Sequence, residues 1–126
     1  MSSIYTTAFG VTTAALGIGA AEAIGRSNKL PAGTGALEGL FTICLHHAVQ
    51  PAWTAYVINA GLNPVATAVL LVARIVIQAA VSSAVINQFV GSAFPIEKGT
   101  VVGSCSIGAY AISQFLVKAA ARAAQA

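Results

Sequence analysis

The stretch Asn63–Gly91, NPVATAVLLVARIVIQAAVSSAVINQFVG, decides the fold that this chain can adopt. As a helix it would extend about 40 Å, because each residue rises about 1.5 Å, and it would exceed the hydrocarbon thickness of a bilayer. Val, Ile, Leu and Ala occupy every face of that helix, so it must be surrounded by lipid, by other helices or by both. Its one formal charge, Arg74, lies near the centre. The stretch predicts a membrane-type helix that carries one buried cation.

The composition of the whole chain points to the same environment. Only 7% of the residues are charged, 57% are hydrophobic and the mean hydropathy is +0.83. Soluble domains carry about a quarter charged residues, and a chain of this size cannot hide so much apolar surface inside itself. We therefore expect a single domain, 1–126, whose helices are covered by a bilayer or by copies of the same chain.

Short runs of turn-forming residues divide the chain into four helical segments. RSNKLPAGTG at 26–35 and SAFPIEKG at 92–99 resist helix formation, and Gly61 and Pro64 bound a tight corner. The predicted helices span about 3–25, 35–60, 64–90 and 99–123. We expect an all-α chain of hydrophobic helical hairpins, with three to four membrane-type helices, that assembles into a helical filament or a membrane oligomer.

The second helix carries several local signals. Thr34 fits its N-cap position, and Glu38 falls in its first turns, where the helix dipole favours an anion. Pro51 removes one backbone hydrogen bond, so we expect a bend close to it. Cys44 and Cys105 lie in apolar helical stretches, which predicts two buried free thiols, with a bridge between helices as the alternative.

Small residues recur at spacings that allow helices to pack closely. On the first helix they fall three or four apart, which gives a flat face for another backbone. Later in the chain they form two GxxxG steps. The predicted helix-packing residues are Gly17, Gly25, Gly35, Gly39, Gly99 and Gly103.

A thin polar stripe follows Arg74 along its helix. Gln78 and Ser82 lie one and two turns further on and share its face. A guanidinium inside a bilayer pairs, snorkels or faces water. One reading pairs Arg74 with Glu22, Glu38, a helix-end carbonyl or a neighbouring copy. The other places it at a polar lumen or a lipid phosphate, and the lipid- or lumen-facing residues are then Arg26, Lys29, Arg74, Gln78 and Lys98.

The supply of reactive side chains does not predict an enzyme. His46 and His47 are adjacent, so on a helix they point about 100° apart and cannot chelate one metal ion together. Cys44 lies one turn from His47, but two ligands do not make a zinc site. The sequence contains no phosphate-binding glycine loop, nucleophile elbow or basic run of the kind that binds nucleic acid. We expect no catalytic residue, no metal site and no cofactor.

Hydrophobic hairpins rich in Ala, Gly and Val, joined by short turns with a few Lys or Arg, resemble the pilins of conjugative and type IV secretion pili, including archaeal DNA-import pili. The resemblance covers residues 35–123, with Asn63–Gly91 as the central wall and RSNK or SAFPIEKG as the basic turn. Bacterial members typically have a long cleaved leader and two main helices. This chain departs from them, since we expect four segments and no leader.

The resemblance implies a pilin that is inserted in the membrane and then extracted into a cell-surface filament with structurally bound phospholipid. Its partners would be copies of itself, membrane lipid and the secretion or import machinery. Nucleic acid would pass through the lumen without sequence-specific contact. Arg26, Lys29, Lys98 and Arg74 are the positions that would meet lipid headgroups or the lumen.

Two other functions compete with the pilin. One is a non-catalytic structural subunit of a multi-subunit integral membrane complex, which would stay in the membrane. The other is a small oligomeric channel, in which the stripe at Arg74 and Gln78 would line the path. A polymer needs complementary surfaces on opposite sides of one chain, and small-residue faces on the first and last helices favour it.

Overall fold

A computed structural model describes the backbone of residues 2–125 and the side chains of residue 4 and residues 7–125. Over this range the chain is all-helical, as predicted, with four α-helices and one 3₁₀ turn at Gly91–Ala93. The helices are α1 (Ser2–Ser27), α2 (Thr34–Ala60), α3 (Pro64–Val90) and α4 (Ile96–Gln125). The fourth helix thus begins at Ile96 rather than at about 99. Residues 1 and 126 of the predicted domain lie outside the described range.

The corner between α2 and α3 has the residues that its geometry requires. Gly61 ends α2 in the left-handed conformation, with φ of 61°, and its N–H donates to the carbonyl of Ile58. The side chain of Asn63 accepts a hydrogen bond of 2.8 Å from the N–H of Ala66, and Pro64 begins α3. The tight corner predicted from glycine and proline is therefore confirmed.

The start of α2 differs from the prediction. Thr34 is not its N-cap: Gly33 holds that position with φ of 87°, and the Thr34 hydroxyl donates to the carbonyl of Pro31 at 2.6 Å. A carboxylate from the preceding helix does the capping instead. Glu22 accepts hydrogen bonds from the N–H groups of Gly33 and Ala36, at 2.9 and 3.1 Å. An anion is favourable there because the first N–H groups of a helix lack helical partners.

The four helices run alternately up and down. Lys98 at the start of α4 donates to the carbonyl of Asn28 at 3.0 Å, so the α1–α2 and α3–α4 connections lie at the same end. Within the described part of the chain, every pair of helices is in contact except α1 with α3. The helices α2 and α4 therefore meet across the centre, with α1 and α3 on opposite sides.

Burial is confined to the end of the bundle that carries these two connections. The buried residues fall between 13 and 43 and between 74 and 113. No residue from 48 to 73 is buried. We call residues 13–47 and 74–113 the loop half, and residues 7–12, 48–73 and 114–125 the far half. The loop half has a hydrophobic core, which includes Ala21, Leu30, Ile86, Phe94 and Val102.

Three stretches are long and apolar enough to cross a membrane: Thr7–Ser27, Pro64–Ala93 and Ile96–Gln125. This agrees with the predicted membrane localisation. The helix α2 is of similar length but carries more polar residues, among them Glu38, His46, His47 and Gln50. It is continuous through Pro51.

The six glycines predicted to pack helices all lie at close contacts. At Gly35 an added Cβ would come within 2.5 Å of the Ala21 carbonyl oxygen, so α1 and α2 approach backbone to backbone there. At Gly39 it would meet Ala21 Cβ at 2.8 Å and Ser106 Oγ at 2.9 Å. The other four lie against neighbours on other elements in the same way: Gly17, Gly25, Gly99 and Gly103.

The prediction of two buried thiols is half wrong. Cys44 and Cys105 are free, as expected, but both are exposed. The buried positions of α2 and α4 are occupied largely by glycines and small polar residues, and the cysteines lie on the outward faces. They do not form a bridge.

Candidate functional site

Polar side chains form a continuous row between α2 and α3, which we call the polar seam. On each helix the members recur about one turn apart, and residues at that spacing share a face. The two helices are antiparallel, so the rows run in opposite directions and face each other in register. The seam consists of Glu38, Thr42 and His46 on α2 and of Arg74, Gln78, Ser82 and Ser83 on α3.

Arg74 is buried at one end of the polar seam, with 7% of its surface exposed. Its Nε donates to Gln78 Oε1 at 2.8 Å and its Nη2 donates to the carbonyl of His46 at 2.9 Å. The guanidinium also lies 5.2 Å from the centre of the Trp53 ring, a distance at which a cation is attracted to the aromatic face. Polar and aromatic groups of the same chain thus surround this cation.

The partners of Arg74 are not the ones that the sequence suggested. Its hydrogen bonds go to an amide and to a carbonyl in the middle of α2, rather than to Glu22, Glu38 or a helix end. Arg74 and Gln78 lie inside the bundle of the single chain, at 7% and 4% exposure.

Pro51 weakens the hydrogen-bond ladder of α2 next to the carbonyl to which Arg74 donates. Proline has no N–H for the carbonyl four residues earlier, that of His47, and its ring crowds the same turn. Arg74 donates to the neighbouring carbonyl, that of His46. A side chain from the adjacent helix therefore supplies a hydrogen bond where proline weakens the helical ladder.

The two histidines connect α2 to different helices. His46 Nδ1 lies 3.2 Å from the amide nitrogen of Gln78 on α3. His47 Nε2 is hydrogen-bonded to the hydroxyl of Tyr110 on α4, with the two rings edge to face. Among the residues that the structure describes, no group of three or more potential metal ligands comes together. The histidine pair fixes the positions of three helices.

Glu38 lies at the other end of the polar seam and is fully buried. Ser83 Oγ is 2.9 Å from its Oε2. The sequence pattern had placed this acid in the first turns of the helix, where the dipole favours an anion, and had offered it as a partner of Arg74. Its burial follows from Gly103 on α4, whose lack of a side chain leaves room for the carboxyl group next to Ala79 and Ser83 of α3. The missed signal was the recurrence of polar residues every four positions on both helices.

The remaining predicted lipid-facing residues gather at the loop end and are exposed. Arg26 donates from Nε to Glu22 at 2.9 Å, which is the ion pair found in the described part of the chain. Lys29 has a left-handed backbone, with φ of 64°, and Lys98 bonds the Asn28 carbonyl. Three of the five predicted residues are therefore close to one surface, and the other two belong to the polar seam.

The outside of the bundle is apolar. Large hydrophobic side chains with more than half of their surface exposed occur on all four helices, including Ile4, Ile58, Val65, Val69, Phe89, Val101 and Phe115. Such a surface is unfavourable in water and marks contact with lipid or with other proteins. The bundle thus buries a row of polar side chains while it exposes many large apolar ones, which is unusual for a soluble bundle.

The chain matches no protein-family model, no curated protein and no solved structure. Functional conclusions therefore rest on its own residues and on their arrangement.

Proposed function

We propose that this chain is a structural subunit that inserts in a membrane and polymerises with bound lipid into a pilus of the conjugation or DNA-transfer type. The proposal rests mainly on the exposed apolar surface of the far half. Its helices are held in one chain without a single buried residue between positions 48 and 73, although they expose large apolar side chains. Surfaces of this kind need a partner, and a copy of the same chain together with lipid supplies one.

The loop half supports the same proposal because it is well packed within one chain. It has a packed core, close glycine contacts and a capped helix start, so it can keep its shape while the far half exchanges neighbours. A subunit that moves from a bilayer into a filament needs one part that stays folded and another whose contacts change. The packed loop half and the exposed far half would suit these two roles.

The basic loop end fits a lipid partner. Arg26, Lys29 and Lys98 are exposed beside the two connections, and cations at a membrane surface attract anionic headgroups by about 1 kcal/mol each. We propose that these three residues contact phospholipid phosphates in the membrane and in the filament. Copies of the chain, lipid and a secretion or import machinery would then be its partners, with nucleic acid as a passing cargo.

The direct experiment is to shear producing cells and to image the released material by electron microscopy, with mass spectrometry of protein and lipid. We expect thin uniform filaments in which this chain is the main protein and phospholipid co-purifies. Recovery of the chain only in detergent extracts, in fixed ratio with other subunits and without filaments, would contradict the pilus. It would instead support a non-catalytic subunit of a membrane complex.

A further inference from the structure

The polar seam contains a buried acid whose bonding capacity the protein does not fill. In the described part of the chain, Glu38 Oε1 has no hydrogen-bond partner, and the same is true of Thr42 Oγ1 and Ser82 Oγ. These residues are 0%, 0% and 2% exposed. Buried polar atoms without partners are rare, because each has given up water without a replacement.

The helix register places the three residues on successive turns of the polar seam. His46 and Gln78 are in contact, and one turn along each antiparallel helix leads from them to Thr42 and to Ser82. The next contact along the seam, at 2.9 Å, is made by the carboxyl group of Glu38. Along the seam, Thr42 and Ser82 therefore lie between the His46–Gln78 contact and Glu38, and both residues are buried.

Among the described residues, the hydroxyl that contacts the carboxyl group is shared with a second acceptor. Ser83 Oγ lies 2.9 Å from Glu38 Oε2 and 2.8 Å from the carbonyl oxygen of Ala79. A hydroxyl has one proton, so it can donate fully to only one of these two acceptors at a time. The protein thus offers the carboxyl group at most one hydrogen bond, and that bond competes with a backbone acceptor.

No side-chain cation of the described residues pairs with this acid. The ion pair found there joins Arg26 to Glu22, and the guanidinium of Arg74 donates to an amide and to a carbonyl. A lone carboxylate in an apolar core is strongly unfavourable unless a proton or a cation neutralises it. The hydroxyls are neutral, so the single negative charge of Glu38 balances a monovalent cation. A divalent cation would leave one uncompensated positive charge inside the bundle.

The donor set and the space around it select the kind of cation. Carboxylate and hydroxyl oxygens are hard ligands, which suit alkali and alkaline-earth ions rather than soft metals. The surroundings are tight, because a Cβ at Gly103 would overlap Glu38 Oε2 and would meet Ala79 Cβ at 2.8 Å. A small ion fits such a position better than a large one.

We propose that Glu38, Thr42, Ser82 and Ser83 form a binding site for one small monovalent cation, with Na⁺ as the ligand, that joins α2 to α3 inside the bundle. The ion would neutralise the acid and supply the missing partner of the three unpaired oxygens. This inference stands apart from the pilus, because the site lies within one chain and does not require assembly.

The test uses the full chain, purified in detergent, with thermal unfolding followed by circular dichroism in NaCl or in choline chloride at equal ionic strength. A ligand that binds only the folded state raises the midpoint, by about 5 °C when its concentration is about ten times the dissociation constant. We expect this rise with Na⁺ but not with choline, and a weaker rise with K⁺. Binding of ²²Na⁺ should saturate at one ion per chain.

Three variants connect the effect to the site. Glu38→Gln keeps the shape and should remove both the Na⁺-dependent rise and ²²Na⁺ binding. Thr42→Val keeps the volume and should weaken Na⁺ affinity by at least about tenfold, as loss of a polar group at an ion site does. Thr13→Val is the matched control, because Thr13 is equally buried but lies on α1 and bonds its own backbone. It should keep the full response to Na⁺.

Several results would overturn the site. Equal midpoints in NaCl and choline chloride would mean that the acid holds a proton or a structural water in place of the ion. A rise that survives in Glu38→Gln would place the Na⁺ effect elsewhere. Equal losses of Na⁺ affinity in Thr42→Val and Thr13→Val would show that the hydroxyl of Thr42 is not a ligand.

Discussion

In the loop half, α1 and α2 come so close at Gly35 that the Ala21 carbonyl leaves no room for a methyl group. In the far half, the chain continues from 48 to 73 without burying one residue. Both halves consist of long apolar helices with small residues. The difference lies in what covers them: the loop half is covered by its own backbone and polar seam, whereas the far half has bonds at its helix ends and leaves large apolar side chains exposed.

We expect the loop half to determine the stability of the single chain and the far half to determine the stability of an assembly. Substitutions in the loop half should act on unfolding of the isolated protein, because the contacts they change lie within one chain. Substitutions of exposed apolar side chains in the far half should act on membrane or copy contacts and leave unfolding almost unchanged. Four substitutions test the difference, from the largest expected effect to the smallest.

Gly35→Ala should destabilise the isolated chain most. The added methyl group meets the Ala21 carbonyl at 2.5 Å, and overpacking of this kind costs about 1–3 kcal/mol because the backbones must separate. Thermal or denaturant unfolding in detergent measures the loss. Gly19→Ala is the matched control, since nothing lies within 4 Å of its added Cβ. It should stabilise α1 by about 0.5–1 kcal/mol through helix propensity. Equal effects of the two changes would contradict close packing at Gly35.

Arg74→Met should cause the second-largest loss in the free energy of unfolding. It leaves the His46 carbonyl and Gln78 Oε1 without their donor, which costs about 1–3 kcal/mol when such groups are buried. Gln78→Leu and the double variant complete a thermodynamic cycle, measured by chemical unfolding. We expect a coupling energy of about 1 kcal/mol, because the two side chains share a hydrogen bond. Strict additivity would mean that Arg74 and Gln78 do not depend on each other.

Asn63→Ala should lower the free energy of unfolding by about 1 kcal/mol, the usual value for loss of an N-cap. Its side chain accepts from the N–H of Ala66 at 2.8 Å and begins α3 in the far half. Asn59→Ala removes the same amide in the same hairpin but no cap, so it should change the unfolding midpoint much less. A cost near zero for Asn63→Ala would show that the corner is held by packing after all.

Val69→Ser should have the smallest effect on the isolated chain, within about 0.5 kcal/mol, because Val69 is 63% exposed. In cells, however, we expect fewer or no sheared filaments by electron microscopy. Val101→Ser, at an equally open position of the loop half with 52% exposure, is the control and should keep filaments. Loss of filaments in Val101→Ser alone would reverse the roles that we assign to the two halves.

Much of the fold was predictable because its signals are local. Glycine and proline gave the four segments, and Gly61 with Pro64 gave the corner and the hairpin. The spacing of small residues marked the helix contacts, since a glycine every four positions leaves a flat strip whatever helix lies against it.

The polar seam was only half predictable because it depends on register. The stripe at Arg74 and Gln78 is visible on one helix, but its partners are set by how far α2 slides along α3. Glu38 gave no local sign of burial, and Glu22 reaches the start of α2 from a different helix. The outward position of Cys44 likewise depends on which face of α2 meets its neighbours. Such facts follow from tertiary packing rather than from spacing along the chain.

The capping of α2 by Glu22 has a consequence for the order in which the chain is made. The groups that cap the start of α2, from Glu22 to Ala36, are synthesised before α3 exists. The first hairpin can therefore close its own turn as it leaves the ribosome, and the second hairpin adds its Lys98 contact later. We expect the chain to enter the bilayer as two successive helix pairs, each with its connection on the same side.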